Sequence, residues 1–325
     1  MASKDVYVGI DLGGTSIKAL AVDSRQRILA EEKIPTRAKL RAASVIADIE
    51  RLVLQAVKAA ERARGNLRAV GVGAPGAIDP KHGMVHEAPN LGWKEVALGR
   101  DLKRLLRVPV MVDNDVNVGV IGEHALGAGE RAREMVGVFV GTGIGGGIIS
   151  RDRLYEGSHG GAGEAGHTVL MVDGPVCSCG RRGHAEALAS RTAMERDVRA
   201  AIAVGRRSAV LEIMKKKSKT RMTSSVIHAA LKQNDAVMRE VMARAQYYLG
   251  ILVSNMVNLL APDRVVIGGG LAARLGESFV APIRATAFEY FLRPDDVRRV
   301  KIVPGALGDN AGALGAVILA RQRLE

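Results

Sequence analysis

The 325-residue chain is poor in cysteine, in aromatic side chains and in long apolar runs. It has only two cysteines, Cys177 and Cys179, too few for a disulfide framework in a chain of this size. Aromatic residues make up 3% of the sequence, so Val, Ile, Leu and Ala must supply most of the core. No run of 18 apolar residues occurs, and no apolar leader precedes the first strand, so neither a membrane span nor export is expected and the cytoplasm is the default. No helix-turn-helix or RNA-binding signature accompanies the basic residues. The net charge of +13 therefore reads as a solvated surface rather than a nucleic-acid site. The one dense basic run, residues 214–221 ("MKKKSKTR"), reads as an exposed helix end and is also compatible with a polyanion.

Hydrophobic residues at 47% and charged residues at 25% describe a globular chain with enough apolar side chains for a full core. The 38 glycines exceed the average share of roughly 7%. The chain reads as two similar halves. "DVYVGIDLGG", "SIKALAVD" and "RILAEEKIPT" form a β-meander with a glycine-rich first turn. Val45, Ile46, Ile49, Leu52, Val53, Val57 and Ala60 then recur at helical spacing, predicting an amphipathic helix over Ala43–Arg64. "AVGVGAPG" and "VPVMVDND" read as buried strands.

After Asp115 the pattern begins again. A helix is expected over 116–127, then strand, glycine turn and strand in "MVGVFVGTG" and "GGIIS". Helices are expected over Ala185–Val204 and Ala236–Leu260, then the strand "DRVVIGGG", a helix, the strand "VKIVPGA" and a last helix from Asn310. These elements imply a mixed-sheet α/β fold in two lobes around a cleft. The expected boundaries are 1–114 plus 309–325 for the smaller lobe and 115–308 for the larger.

Three glycine turns stand out. In "DLGGTSIK", Asp11, Gly13, Gly14, Thr15 and Lys18 sit on one strand–turn–strand, and the glycines let backbone N–H groups approach a phosphate. Thr15 and Lys18 can add donors, and Asp11 can hold a metal-bound water. "GTGIGGG" at 141–147 repeats the device, and "GGG" at 268–270 supplies a third bend. Each is equally compatible with a plain tight turn. Residues 141–146 match G-x-G-x-x-G, but a strand rather than a helix follows, which rejects a dinucleotide fingerprint. No Walker-type loop is present.

"VMVDNDVN" places Asp113, Asn114 and Asp115 at a strand end, where Asp115 can accept a hydroxyl proton or cap the next helix. Farther on come "GAGEAGH" and "CSCGRRGHAE". The glycine hairpins are similar to the phosphate and adenosine elements of the sugar kinase, actin and heat-shock chaperone superfamily. With the later motifs, the chain from Val8 to about Ala316 resembles the ROK family of bacterial sugar kinases and sugar-responsive repressors.

The resemblance implies a two-lobed, actin-like ATPase fold with an interdomain cleft and an ATP- and Mg2+-dependent sugar kinase, most simply a glucokinase. It implies Asp115 as general base and Asn90, Asn114, Glu164, His167 and Glu186 as partners of the sugar hydroxyls. Asp11, Gly13, Gly14, Thr15, Lys18, Gly141, Thr142 and Gly143 would face the phosphates, and Gly269 would lie near the adenosine. Kinases of N-acetylglucosamine, N-acetylmannosamine, fructose or allose share these residues, and polyphosphate is an alternative donor. A repressor is disfavoured, because only ten residues precede Asp11 and base readout needs a motif that is missing. A homodimer or homotetramer is expected, with no membrane partner.

His167, Cys177 and Cys179 match three zinc ligands of that family, whose fourth is normally Cys. Here position 184 is His, and imidazole is an acceptable zinc ligand. Four protein ligands would make the metal structural. The alternative is two free thiols and a surface histidine.

Overall fold

The computed structural model describes residues 5–61 and 66–324. These form two compact units. The first comprises 1–130, 154–162 and 310–325, the second 131–153 and 163–309. The expected boundary at 114/115 thus moves to the end of residue 130, because the helix that follows Asn114 packs within the first unit.

In the first unit, β1 (Val6–Leu12), β2 (Ser16–Asp23) and β3 (Ile28–Pro35) form the expected antiparallel meander. β4 (Leu67–Ala74) and β8 (Val110–Asn114) add in parallel, giving the order β3-β2-β1-β4-β8. Between them lies a small antiparallel sheet of β5 (Ala77–Asp79), β6 (Met84–Ala88) and β7 (Trp93–Val96), which the sequence pattern does not announce.

α1 (Ala42–Ala59) and α2 (Leu98–Leu106) share one apolar cluster with the large sheet. All seven apolar positions read as the α1 face, Val45 through Ala60, are buried. The helix ends at Ala59, and residues 62–65 of the expected span lie outside the described residues. α3 (Asp115–Leu126) and α12 (Ala311–Gln322) form a second cluster through Val118, Ile121, Ala316, Ile318 and Leu319.

Small residues set how closely α12 lies on the sheet. A Cβ on Gly71 of β4 would fall 1.8 Å from the Ala316 carbonyl oxygen. Gly71→Ala is therefore expected to destabilise the protein by about 3 kcal/mol, since overpacking against backbone cannot be relieved by a rotamer change. Urea unfolding measures it, and an unchanged midpoint would mean that α12 yields.

The second unit repeats the plan. β9 (Glu134–Val140) and β10 (Ile144–Ser150) form an antiparallel hairpin, and β12 (Arg264–Gly268) and β13 (Lys301–Pro304) join in parallel. With β11 (Arg153–Leu154) at the edge, the order is β11-β10-β9-β12-β13. Helices α4 (Ala185–Ala189), α5 (Arg191–Ala203), α6 (Val210–Lys216), α7 (Ser224–Lys232), α8 (Ala236–Leu260), α9 (Gly269–Leu275), α10 (Glu277–Glu289) and α11 (Asp296–Arg299) follow the hairpin or separate its partner strands.

α8 has the expected bounds. Asp235 caps it by accepting the Met238 N–H at 2.8 Å. The helix expected over 185–204 is instead two, broken at Ser190, whose backbone is extended and whose hydroxyl caps α5 by accepting the Ala193 N–H at 3.1 Å. The basic run begins at the buried Met214, and its residues from Lys215 onward are exposed at and beyond the end of α6. Among the described residues, no helix is long and apolar enough to cross a membrane.

Candidate functional site

Each unit presents one three-residue glycine turn between antiparallel strands. In the first, residues 13–15 link β1 to β2, and the Gly13 N–H donates to the Ser16 carbonyl at 3.0 Å. Thr36 braces this turn from both directions. Its hydroxyl donates to the Gly13 carbonyl at 2.6 Å, and its N–H donates to the Thr15 carbonyl at 3.0 Å. Thr15 is exposed, and Asn90, in the short turn 89–91, lies beside Gly14.

Asp11 is half-buried on β1, with its carboxylate against Gly312 in the first turn of α12. Lys18 stands opposite Asp11 in the β1–β2 register but is buried, and its ammonium is held by Asn310 and by Glu31 at 2.8 Å. Its first partners are thus side chains of the protein.

At the end of β8, Asn114 rather than Asp115 is the helix cap. Asn114 has extended backbone, and its Oδ1 accepts the Val116 and Asn117 N–H groups at 2.8 and 3.3 Å. Its Nδ2 donates to the Gly76 carbonyl at 3.0 Å. Asp115 occupies the first turn of α3, half-buried, where a carboxylate complements the helix dipole. One of its oxygens accepts its neighbour's N–H at 3.0 Å.

Asp113 is fully interior and accepts from the Asn114 N–H, from Asn117 Nδ2 at 2.9 Å and from Arg323 at 3.3 Å. Burial pushes its carboxyl above the usual range, and those hydrogen bonds and the Arg323 charge pull against the shift without reversing it. Asp113 thus anchors the strand–helix junction that carries Asp115.

In the second unit, residues 141–143 link β9 to β10, and a strand follows them, as expected. The break at Ser190 fixes this turn. The Arg191 and Thr192 N–H groups donate to the Gly141 and Thr142 carbonyls, and the Arg191 guanidinium donates to the Thr142 hydroxyl at 2.7 Å. Arg191 and Thr192 escape a sequence reading because no Glu or Gln at the third helical position completes a capping box after Ser190. Gly269 has φ of +85°, and a Cβ there would lie 2.5 Å from the Val140 carbonyl oxygen, so only glycine brings α9 this close to the turn.

Glu186, in α4, ties this turn to the cysteine loop. Its Oε2 accepts the Ile144 N–H at 3.1 Å, and its Oε1 accepts from the Ser178 hydroxyl at 2.6 Å and the Cys177 thiol at 3.4 Å. A Cβ on Gly143 would sit 2.2 Å from Oε2. Ser178 was visible in the sequence but carried no signal of this contact.

The loop from His167 to Glu186 folds back on itself. Cys177 N–H donates to the Arg181 carbonyl, Leu170 N–H to Gly183, and Ala185 N–H to Thr168, with isolated bridges at Val169/His184 and Val176/Arg182. This brings His167, Cys177, Cys179 and His184 together, one ligand atom from each lying within 4.8 Å of the others.

His167 Nδ1 is 3.3 Å from His184 Nδ1 and 3.8 Å from Cys177 Sγ, and Cys179 Sγ is 3.3 Å from His184 Nδ1. Tetrahedral bonds of roughly 2.0 Å to nitrogen and 2.3 Å to sulfur require ligand–ligand separations of about 3.3–3.8 Å. The three separations given lie in that range, so the donor set suits a zinc ion, and His184, at 4% exposure, is interior rather than a surface residue. Burial pushes the Cys177 thiol above its ordinary value, a cost that a bound cation would offset. His167 Nε2 points the other way and lies 4.0 Å from Glu164 Oε2, while Glu164 itself is exposed.

Comparison with known proteins bears on the whole chain. The ROK family model matches residues 7–323. The chain is 32% identical over 318 residues to a glucokinase of Halalkalibacterium halodurans, covering 98% of this chain and 95% of that protein. It is equally identical to a glucokinase of Thermotoga maritima, with 98% of each covered. Among solved structures, a ROK family glucokinase from Streptomyces griseus in complex with glucose and AMPPNP superposes with a TM-score of 0.85 at 30% identity, covering 98% of this chain and 99% of that one. The repeated hairpin-plus-parallel-strand units are accordingly the two-lobed, actin-like ATPase fold, and the chain belongs to the ROK family.

Proposed function

We propose that the protein is an ATP-dependent hexose kinase that transfers the terminal phosphoryl group of ATP to the 6-hydroxyl of glucose, with Asp115 as general base. The observation that carries this reading is the Asp113–Asn114–Asp115 junction, where the Asn114 cap and the interior Asp113 hold Asp115 on a rigid strand end. Phosphoryl transfer asks a protein mainly to position groups and neutralise charge. Asp115 accepts the hydroxyl proton as the sugar oxygen attacks, and the leaving diphosphate takes the charge away.

Backbone N–H groups of the turns at 13–15 and 141–143, other than those of Gly13 and Gly141 that close the turns themselves, donate to the phosphates, with the Thr15 and Thr142 hydroxyls beside them, and Gly269 admits the nucleoside. Lys18, tied to Glu31 and Asn310, contributes as a charge near the turn. Bound Mg2+ would supply charge neutralisation at the phosphates, and Asp11 is the carboxylate beside the first turn that would hold it. Asn90, Asn114, Glu164, His167 and Glu186 supply the hydrogen bonds to the sugar hydroxyls. A site built of such groups discriminates strongly against an analogue lacking a hydroxyl, because its polar groups would be left unpaired.

A zinc ion held by His167, Cys177, Cys179 and His184 would have no open position and would supply loop geometry rather than chemistry. His167 Nδ1 faces this cluster, so a metal held there would leave the proton on Nε2, where it could donate to the sugar.

The deciding experiment is a panel of hexoses and amino sugars with MgATP, read by coupled ADP release, with polyphosphate as a parallel donor. Glucose with ATP is expected to give the highest kcat/KM. Turnover with polyphosphate alone would replace the donor, and no turnover with any sugar would favour a sugar-sensing regulator.

A further inference from the structure

The first unit contains a cavity of about 760 Å³ that none of the residues assigned above lines. Its walls carry Lys81, Arg100, Lys103 and Arg323 against a single carboxylate, Glu156, with His82 at the rim. Gly83 and Gly99, which also line it, meet backbone to backbone, the Gly99 N–H donating to the Gly83 carbonyl at 2.9 Å. Of the charged groups there, Glu156 already pairs with Arg323 at 2.9 Å, His82 with Asp79 at 2.6 Å, and Arg100 through its Nε with Asp101 at 3.3 Å, which leaves the Arg100 terminal nitrogens to a ligand. Lys81 and Lys103 are exposed at the cavity and carry the excess positive charge.

From these features we infer a second ligand site, for a phosphate monoester of a small polyol such as a hexose phosphate. The volume falls in the range of roughly 300–1,000 Å³ typical of small-molecule sites. The guanidinium groups of Arg100 and Arg323 suit phosphate oxygens, which a planar fork of donors can grip in pairs. Apart from the His82 imidazole, no aromatic ring lines the walls, so a nucleobase would find little to stack on.

The site is wired to the junction that carries Asp115. The Arg323 guanidinium donates at once to the Pro80 carbonyl, to Glu156 and to the interior Asp113. A bound phosphate competes with Asp113 for that guanidinium. Asp113 in turn holds the Asn114 N–H and the Asn117 amide at the start of α3, so ligand binding loosens the mount of Asp115. This second step rests on the kinase reading given above; the binding step does not.

The test is calorimetric titration of the full chain, saturated with glucose and a non-hydrolysable ATP analogue so that the main site is filled. Inorganic phosphate, glucose 6-phosphate and glucose are the separate titrants. Glucose 6-phosphate is expected to bind once per chain, inorganic phosphate more weakly, and glucose not at all. An R100E/K103E variant, which alters no residue assigned to catalysis, should weaken the phosphate ligands at least about tenfold, as two charge-assisted contacts require. In turnover assays with glucose and ATP both saturating, glucose 6-phosphate should lower kcat of the wild type and not of the variant, while product inhibition competitive with glucose stays the same in both. No additional binding, binding that survives the double charge reversal, or inhibition that is purely competitive and leaves kcat unchanged would each overturn the site. A protein that takes up the phosphate yet turns over no sugar would overturn the kinase reading and leave this site standing.

Discussion

Asp115→Asn is expected to lower kcat by about 100- to 10,000-fold, the range that a positioned general base contributes, while the KM for the sugar changes little. The substitution keeps the size of the side chain and its place in the first turn of α3. The neighbouring N-cap is untouched, because Asn114 and not Asp115 accepts the Val116 and Asn117 N–H groups through its side-chain amide oxygen at the cap. Asparagine can still accept a hydrogen bond from a sugar hydroxyl but cannot take its proton at neutral pH. The loss therefore falls on a step made in the transition state, which lowers kcat and kcat/KM together. An unchanged thermal midpoint would show that the junction survives. Turnover within about tenfold of wild type would remove Asp115 from the base role, since it is less than the lower bound for such a group.

That distinction between Asn114 and Asp115 also marks how far the sequence could be read. Both residue types cap helices, and only the extended backbone of Asn114, φ −62° and ψ 144°, separates the cap from the first helical residue. Signals confined to a few neighbouring residues were legible. The glycine turns announced two hairpins, the spacing of α1 gave its buried face, and the helical stretch Ala236–Leu260 gave the bounds of α8. Contacts between distant residues were not legible. Lys18 meets Asn310, 292 positions away, and Arg323 meets Asp113 across 210. The alanine-rich 185–204 segment hides its break because only the single Ser190 marks it. The strands β5 to β7 escape because each is three to five residues long, too short for a period to emerge. The cysteine loop was legible as a ligand set only through the family pattern, since two cysteines and two histidines at these spacings specify little on their own.

Under the zinc proposal, chelation is expected to abolish glucose binding while leaving binding of a non-hydrolysable ATP analogue nearly intact. The two effects separate because the ligand cluster holds the 167–186 segment, which carries His167 and Glu186. The second glycine turn touches that segment through Glu186 but is also held by Arg191 and Thr192 at the start of α5, outside it. Structural zinc contributes roughly 10–16 kcal/mol of apparent binding energy in small peptides, far more than the few backbone hydrogen bonds that otherwise close this loop. Without the ion, four polar side chains would crowd together and His167 would lose the contact that fixes its Nε2 proton. Glu186 would keep its Ile144 partner but lose the ordered Ser178. The whole chain should remain folded, because the apolar clusters of both units extend well beyond this loop.

The measurement is metal analysis of the purified protein, followed by chelation and titration of sugar and nucleotide separately. His184→Cys should keep one zinc per chain, because thiolate and imidazole both complete a tetrahedral site. Cys177→Ala should lose the metal and the sugar together. A fully active preparation with no stoichiometric zinc would remove the ion from the account and leave the His167–His184 contact as a packing feature. Loss of nucleotide binding along with sugar binding would mean instead that the loop and the second glycine turn form one cooperative element, coupled through Glu186.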